Sequence, residues 1–334
     1  MTNFRKFQRA VTTGCALILL LLTPSAGNAQ TASSVSVPGG EPGISINVLR
    51  MAAAKPSGRA PILLLHPYGA PCAQAYDLAD FSLMRDLAAT GRDIFAMDAR
   101  GFGRSSKPAH TAPVGRANDA VKDVVAVIDY VRKVTGAKQV ALFGWSWGAV
   151  VAPMVAIERP ELIERLALFG AMYAFDLPIM TQPFAAKDDA RRFAPASVAY
   201  QKIETNKVLG HWKMMLAERK DLVDDATIAS IEALAERCSA GAPAAAPGFT
   251  VRPMGPLQDL FEIWSGRPIY DASRVKVQTL VIRADRDFFA DKALAGKLPQ
   301  AREVVIADAT HWLPYEKNRA ALVGALREFL GNTK

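Results

Sequence analysis

The sequence predicts an α/β protein with a mostly parallel central sheet, helices on both faces and an inserted helical cap. Three observations predict it. From residue 44 onward, short apolar runs alternate with helical patterns, the rhythm of parallel strands joined by crossover helices. That rhythm stops between residues 171 and 274, where helical patterns continue without a convincing strand, and then resumes for two last strands. Finally, the apolar run 139–143 leads into a turn flanked by glycines and then directly into a helical pattern, the handover of strand to helix on which such folds place their chemistry.

The elements follow in chain order. Arg5, Lys6 and Arg9 precede the apolar stretch 16–22, and small and turn-forming residues run on to Ala29. This is the pattern of a secretory signal peptide spanning 1–29, and it predicts a secreted or periplasmic protein. The apolar stretch is too short to cross a bilayer, and no later run reaches the roughly 18 apolar residues a span needs, so no stable membrane insertion is expected after cleavage. Cys15 precedes the apolar stretch rather than following it, which argues against a lipoprotein. Residues 30–43, rich in Ser, Pro and Gly, read as a flexible lead-in. Strands are expected at 44–51, 61–65, 93–97, 140–143, 163–169, 277–282 and 303–306. Between them, Val121, Val124, Val125, Ile128 and Val131 recur at helical spacing over 117–134, and a second helix runs over 149–158 until Pro160 closes it. The core is therefore assigned to 44–170 and 275–334 and the cap to 171–274, in which the Ala/Pro/Gly tract 239–248 reads as a surface loop or hinge.

Half of the 334 residues are hydrophobic, enough for a substantial core. Removing residues 1–29 takes away three basic and no acidic side chains and lowers the formal charge from +8 to +5. No basic stripe with interleaved aromatics is present, so nucleic-acid binding is not expected. Neither a C-x-x-C pair nor a histidine cluster suggests a metal. Cys72 and Cys238 would be the two cysteines left in an oxidising compartment, and the sequence leaves open whether they form a bridge or stay separate thiols.

The glycine-flanked turn is Gly144-Trp145-Ser146-Trp147-Gly148. A G-x-S-x-G at the end of a strand lifts a serine hydroxyl clear of the sheet, and glycines are needed on both sides because the strained backbone leaves no room for a neighbouring Cβ. A serine needs a base to accept its proton and a carboxylate to orient that base. Of the four histidines, His66, His110, His211 and His311, the last follows the final strand and precedes the final helix, which places it on the crevice side of the sheet. Asp287, in the loop after the preceding strand, is the favoured carboxylate; Asp285 and Asp176 remain alternatives.

The order Ser146, Asp287, His311 matches that of the α/β-hydrolases. The chain resembles that superfamily over residues 44–330. His66-Pro67-Tyr68-Gly69 is similar to its His-Gly loop after the third strand, and Asp98-Ala99-Arg100-Gly101-Phe102-Gly103-Arg104-Ser105 to its Asp-x-Arg-Gly-x-Gly-x-Ser turn. The resemblance implies a serine hydrolase without cofactor, with the backbone N–H groups of Trp147 and Tyr68 as oxyanion hole. Pro67 departs from the family glycine. Carboxylic esters or lactones are the substrates the resemblance favours, with peptide or amide cleavage as the alternative, because the Trp-Ser-Trp elbow is similar to that of proline iminopeptidases. Recognition of a free amino terminus would call on Glu204, Glu218, Asp224 or Asp225. A serine-dependent C–C hydrolase and a non-catalytic binding protein are further readings. The expected partner is thus a small-molecule ester, lactone or amide, and its pocket is expected to draw on His66, Trp145, Tyr173, Trp212, Met214, Met215, Phe261 and Trp264, each of which could instead pack inside the protein.

Overall fold

The computed structural model describes residues 31–109, 112–217 and 219–331. The expected signal segment 1–29 with Cys15 lies outside these residues, as do His110 and Glu218.

The strands are β1 (Ser33–Pro38), β2 (Ser45–Met51), β3 (Ile62–Leu65), β4 (Ile94–Met97), β5 (Val140–Trp145), β6 (Ile163–Phe169), β7 (Tyr200–Glu204), β8 (Phe249–Pro253), β9 (Thr279–Ala284) and β10 (Ala301–Ile306). One sheet has the order β1-β2-β4-β3-β5-β6-β9-β10. From β4 to β10 every neighbouring pair is parallel, and β2 joins β4 antiparallel. Covered on both faces, the central strands are apolar throughout: all four residues of β3 are buried. Alternate residues feed two cores, with Leu63 and Leu65 on one face and Ile62 and Leu64 on the other.

The helices are α1 (Leu83–Ala88), α2 (Ala117–Thr135), α3 (Gly148–Glu158), α4 (Pro178–Thr181), α5 (Gly210–Leu216), α6 (Asp225–Cys238), α7 (Gly255–Ile263), α8 (Leu294–Lys297) and α9 (Arg319–Gly331). α2 and α3 share one core with the sheet, α1 and α9 the other. The apolar stripe of α2 buries Val121, Val124, Val127, Ile128 and Val131, with Val125 only half-buried. Gly136, at φ 72°, ends the helix in the left-handed conformation that a Cβ disfavours. No helix among the described residues is long and apolar enough to cross a membrane.

Two expectations change. Part of the lead-in is a strand: β1 pairs antiparallel with β2 from Ser33 opposite Arg50 to Pro38 opposite Ser45. Val35 and Val37 face the core, while the Ser34 and Ser36 hydroxyls bond Asn47 and Ser45 at 2.6 and 2.5 Å. Serine composition reads as a loop, but the period of two makes a strand. The segment 171–274 is also not purely helical, because β7 and β8 pair antiparallel, Tyr200 opposite Pro253 and Glu204 opposite Phe249. The polar β7 has only this distant partner, so local propensity does not announce it. The tract 239–248 is a series of turns, tied at its ends by Gly248 N–H donating to Glu236 (3.0 Å) and Val251 N–H to the Ser239 hydroxyl (2.8 Å).

Cys72 and Cys238 form a disulfide with a Cα–Cα distance of 5.8 Å. It joins the segment after β3 to the last residue of α6 across 166 positions of chain, a long loop whose closure restricts the unfolded chain.

Candidate active site

At the end of β5 the chain turns through Ser146, at φ 60°, and enters α3 at Gly148. A non-glycine residue at positive φ is strained, and two devices hold this one. Ser146 N–H donates to the Phe169 carbonyl at 2.9 Å, extending the β5–β6 ladder past the last strand residue. The flanking glycines allow the close approach: a Cβ on Gly144 would sit 2.3 Å from the Gly148 carbonyl oxygen, and one on Gly148 would sit 2.2 Å from that of Leu65.

His311 follows β10 in a loop fastened from three sides. The Trp145 indole N–H donates to the His311 carbonyl at 2.9 Å, and Trp312 N–H donates to the Thr310 hydroxyl at 3.1 Å. Buried Glu316 accepts from Thr310 N–H at 2.9 Å, from the Thr310 hydroxyl, and from the Trp212 indole at 2.9 Å; burial pushes this carboxyl above its ordinary range. On the ring, Nδ1 lies 2.7 Å from Asp287 Oδ2, and Asp287 Oδ1 accepts from Phe289 N–H at 2.8 Å. That pairing selects the tautomer with a proton on Nδ1 and leaves Nε2 to accept one. Asp285 instead accepts from Asp308 and Ala309 N–H at 3.0 and 3.2 Å, holding the turn before the histidine. Asp176 lies in a bridge with Ser265, and among the described residues it makes no hydrogen bond with His311, whose ring pairs with Asp287.

Gly170 is a requirement that the sequence reading missed. At φ 58° it follows β6, and a Cβ there would lie 2.8 Å from His311 Nδ1 and Cε1 and 3.1 Å from Asp287 Oδ2. Gly170→Ala is expected to displace the imidazole and lower kcat by about 100-fold, since an ångström of misplacement carries such a penalty. Gly296→Ala, where an added Cβ meets nothing within 4 Å, should leave kcat near wild type; steady-state rates of both variants check this.

Ser146 and His311 line one cavity of about 360 Å³ together with Tyr68, Met172, Met180, Gln201, His211, Met214, Arg252, Leu257, Leu260, Trp264 and Phe289, among others. Its wall is largely apolar, holds no aspartate or glutamate among the described residues, and draws on both the sheet loops and the inserted segment. Neither Trp147 N–H nor Tyr68 N–H has an acceptor among the described residues, so both are free for an incoming oxygen.

Of the residues expected to line the pocket, Trp264 and Met214 do. Trp145 instead braces the His311 carbonyl. His66 is a strut: Nδ1–H donates to the Pro67 carbonyl at 2.9 Å and Nε2 accepts from Ala99 N–H at 3.1 Å, with burial lowering its pKa so that it stays neutral. Trp212 stacks on Trp312, centroids 5.2 Å apart, Tyr173 accepts from Ala272 N–H at 3.4 Å, and Phe261 and Met215 belong to the core. None of these six lines the cavity. The Asp98–Ser105 turn is structural: Asp98 accepts from Asn47, Ala73 and Arg104, and Arg100 pairs with Asp123.

Two further residues line the cavity: His211, weighed from the sequence only as a base, and Arg252, which the sequence reading did not single out. His211 accepts the Trp312 indole N–H on Nε2 at 3.0 Å. Burial, then electrostatic repulsion from the His311 and Arg252 side chains, push its pKa down to about 3, so it is a neutral ring with Nδ1–H as donor. Arg252 lies over the Tyr68 ring, 4.2 Å from its centroid. Behind the elbow, Asp259 of α7 accepts from the Trp147 indole at 3.2 Å, from Arg116 at 2.5 Å and from Ala117 N–H at 2.7 Å, and burial raises its pKa to about 6.

A family model described as alpha/beta hydrolase fold matches residues 60–318. Serine hydrolase BPHL of Homo sapiens is 32% identical over 78 residues, which are 23% of this chain and 25% of that protein. A probable hydrolytic enzyme from Pseudomonas aeruginosa PAO1 superposes with a TM-score of 0.65 at 18% identity, covering 91% of this chain and 95% of that one. A thermophilic esterase from Thermogutta terrifontis gives 0.57 at 18% identity, covering 90% and 98%, and Est816, an N-acyl homoserine lactone degrading enzyme, gives 0.59 at 20%, covering 88% and 100%. At these identities the structural likeness speaks for the fold.

Proposed function

The chain belongs to the alpha/beta hydrolase fold family, and from that premise we propose that it is a secreted serine hydrolase acting on carboxylic esters or lactones through an acyl-enzyme. The observation that carries the reading is Ser146, held at positive φ, sharing one cavity wall with a His311 whose Nδ1 is engaged by Asp287.

Ser146 Oγ attacks the carbonyl as His311 Nε2 takes its proton, and the Trp147 and Tyr68 N–H groups receive the developing oxyanion. Collapse expels the alcohol, protonated by His311. Water, deprotonated by the same ring, then attacks the acyl-enzyme and releases the acid. Pro67 supplies no N–H of its own, which leaves Tyr68 as the donor of that loop.

The cavity favours an ester over a peptide with a free amino terminus. Such a terminus needs a carboxylate partner, and the described residues of the wall include none, Glu218 lying outside the described residues. Glu204 is exposed and paired with Lys207 at 2.8 Å, while Asp224 caps α6 and Asp225 lies in that helix's first turn. Secretion is supported by the basic and apolar segment within 1–29 and by the Cys72–Cys238 bridge, since such bridges persist in oxidising compartments.

The test is hydrolysis of 4-nitrophenyl esters graded from acetyl to decanoyl, with a fluorophosphonate probe to trap the nucleophile. Turnover with a chain-length optimum, and a single adduct mapped to Ser146, is the expected result. No turnover and no adduct would overturn the reading.

A further inference from the structure

Three arginines are buried among the described residues: Arg92 (0% exposed), Arg100 (5%) and Arg252 (7%). Two of them are neutralised where they sit. Arg92 pairs with Glu164 at 2.7 Å, and Arg100 with Asp123 at 2.7 Å and Glu41 at 2.6 Å. Among the described residues, Arg252 has no carboxylate partner. Its Nη2 donates to the neutral Gln201 amide oxygen at 3.0 Å, its face lies on the Tyr68 ring, and its Nε is buried with no acceptor. A buried charge without a counter-charge is costly, and this one stands in the wall of the catalytic cavity.

The rest of the wall has the same bias. The Trp264 indole N–H, from another lining residue, is also buried without an acceptor. Lys207 is the other basic lining residue, but it is ion-paired with Glu204, so one positive charge is left over. One delocalised guanidinium with a free N–H matches one carboxylate, whose planar oxygens it recognises in a fork. A phosphate dianion would leave one charge unmatched. The position fits a substrate group as well: the Tyr68 ring that carries Arg252 belongs to the residue whose backbone N–H faces the reacting carbonyl.

We propose that Arg252 binds a free carboxylate on the substrate, so that the cavity takes esters or lactones bearing a second, ionised carboxyl group beside the scissile carbonyl. This rests on the ester-hydrolase reading above for turnover but not for binding.

The experiment compares mono(4-nitrophenyl) glutarate with its methyl ester, in which the same acyl chain has its charge masked, after subtracting the rate seen with Ser146→Ala. Wild type should prefer the charged ester in kcat/KM, and Arg252→Gln should lower the charged-to-masked ratio by about 100-fold, the scale for truncating one partner of a buried charge pair, with Arg252→Lys recovering part of it. A wild-type ratio at or below one, or a ratio that Arg252→Gln leaves in place, overturns the proposal while the hydrolase stands. Should neither ester turn over, the hydrolase reading fails, and calorimetry of glutarate with Ser146→Ala and with the Ser146→Ala/Arg252→Gln protein decides this one: binding lost with the arginine supports it, absent binding overturns it. If Arg252→Gln does not fold, inhibition of wild type by glutarate but not by uncharged glutaramide is the supporting outcome, and equal inhibition the opposing one.

Discussion

Ser146→Ala is expected to lower kcat for 4-nitrophenyl acetate by about 10⁶-fold, the scale of losing the nucleophile of a working triad. The substitution removes one oxygen, and no described residue depends on it: the hydrogen bond that fixes the turn comes from the Ser146 backbone N–H to Phe169. Alanine at φ 60° carries the same backbone strain as serine, so the thermal midpoint should stay close to wild type. The combination is informative, because collapse of kcat with an unchanged midpoint assigns the loss to chemistry. Turnover that survives the substitution would remove Ser146 from the mechanism.

Asp287→Asn should cost about 10⁴-fold in kcat, with the fold retained. Asparagine can turn its amide NH2 toward His311 Nδ1, which then loses its proton to Nε2, and the ring can no longer accept from the serine. The separation between aspartates is what the measurement reads. Asp285 holds only the backbone of 308–309, so Asp285→Asn should lower stability by about 1–2 kcal/mol through one unpaired N–H while kcat stays within a few-fold. Asp176→Asn, beside Ser265 and without a hydrogen bond to the imidazole among the described residues, should leave both near wild type. A kcat loss with Asp285→Asn as deep as that with Asp287→Asn would undo this division of roles.

The residues that sequence pattern reaches are those whose roles are set by local sterics or by strand order. Gly144 and Gly148 flank Ser146 because their Cβ atoms would strike backbone 2.3 and 2.2 Å away, a constraint confined to one tight turn and therefore legible as G-x-S-x-G. Asp287 and His311 follow β9 and β10, and in a parallel sheet the loops after successive strands gather at one edge, so their meeting follows from topology alone. The strand β1 was concealed only by its serines, whose alternation with Val35 and Val37 is visible once composition is set aside.

Aromatic side chains show the limit. Trp145 and Trp264 look alike as candidates for a pocket, yet one braces the His311 carbonyl and the other lines the cavity. The same side chain serves either use, and the choice depends on neighbours more than a hundred positions away in the chain. Gly170, Arg252 and the Cys72–Cys238 bridge share that dependence.

By itself, then, the sequence determined the layered α/β architecture, the turn that raises Ser146 and the chain order of Ser146, Asp287 and His311, because each of these is written in periods and spacings a few residues long. The tertiary structure alone decided that Asp287 and not Asp285 faces the imidazole, that Gly170 must lack a side chain, and that Arg252 enters the cavity without a counter-charge among the described residues. Those outcomes turn on which atoms lie within a few ångströms after folding, and such distances are set by packing between elements that no local pattern encodes.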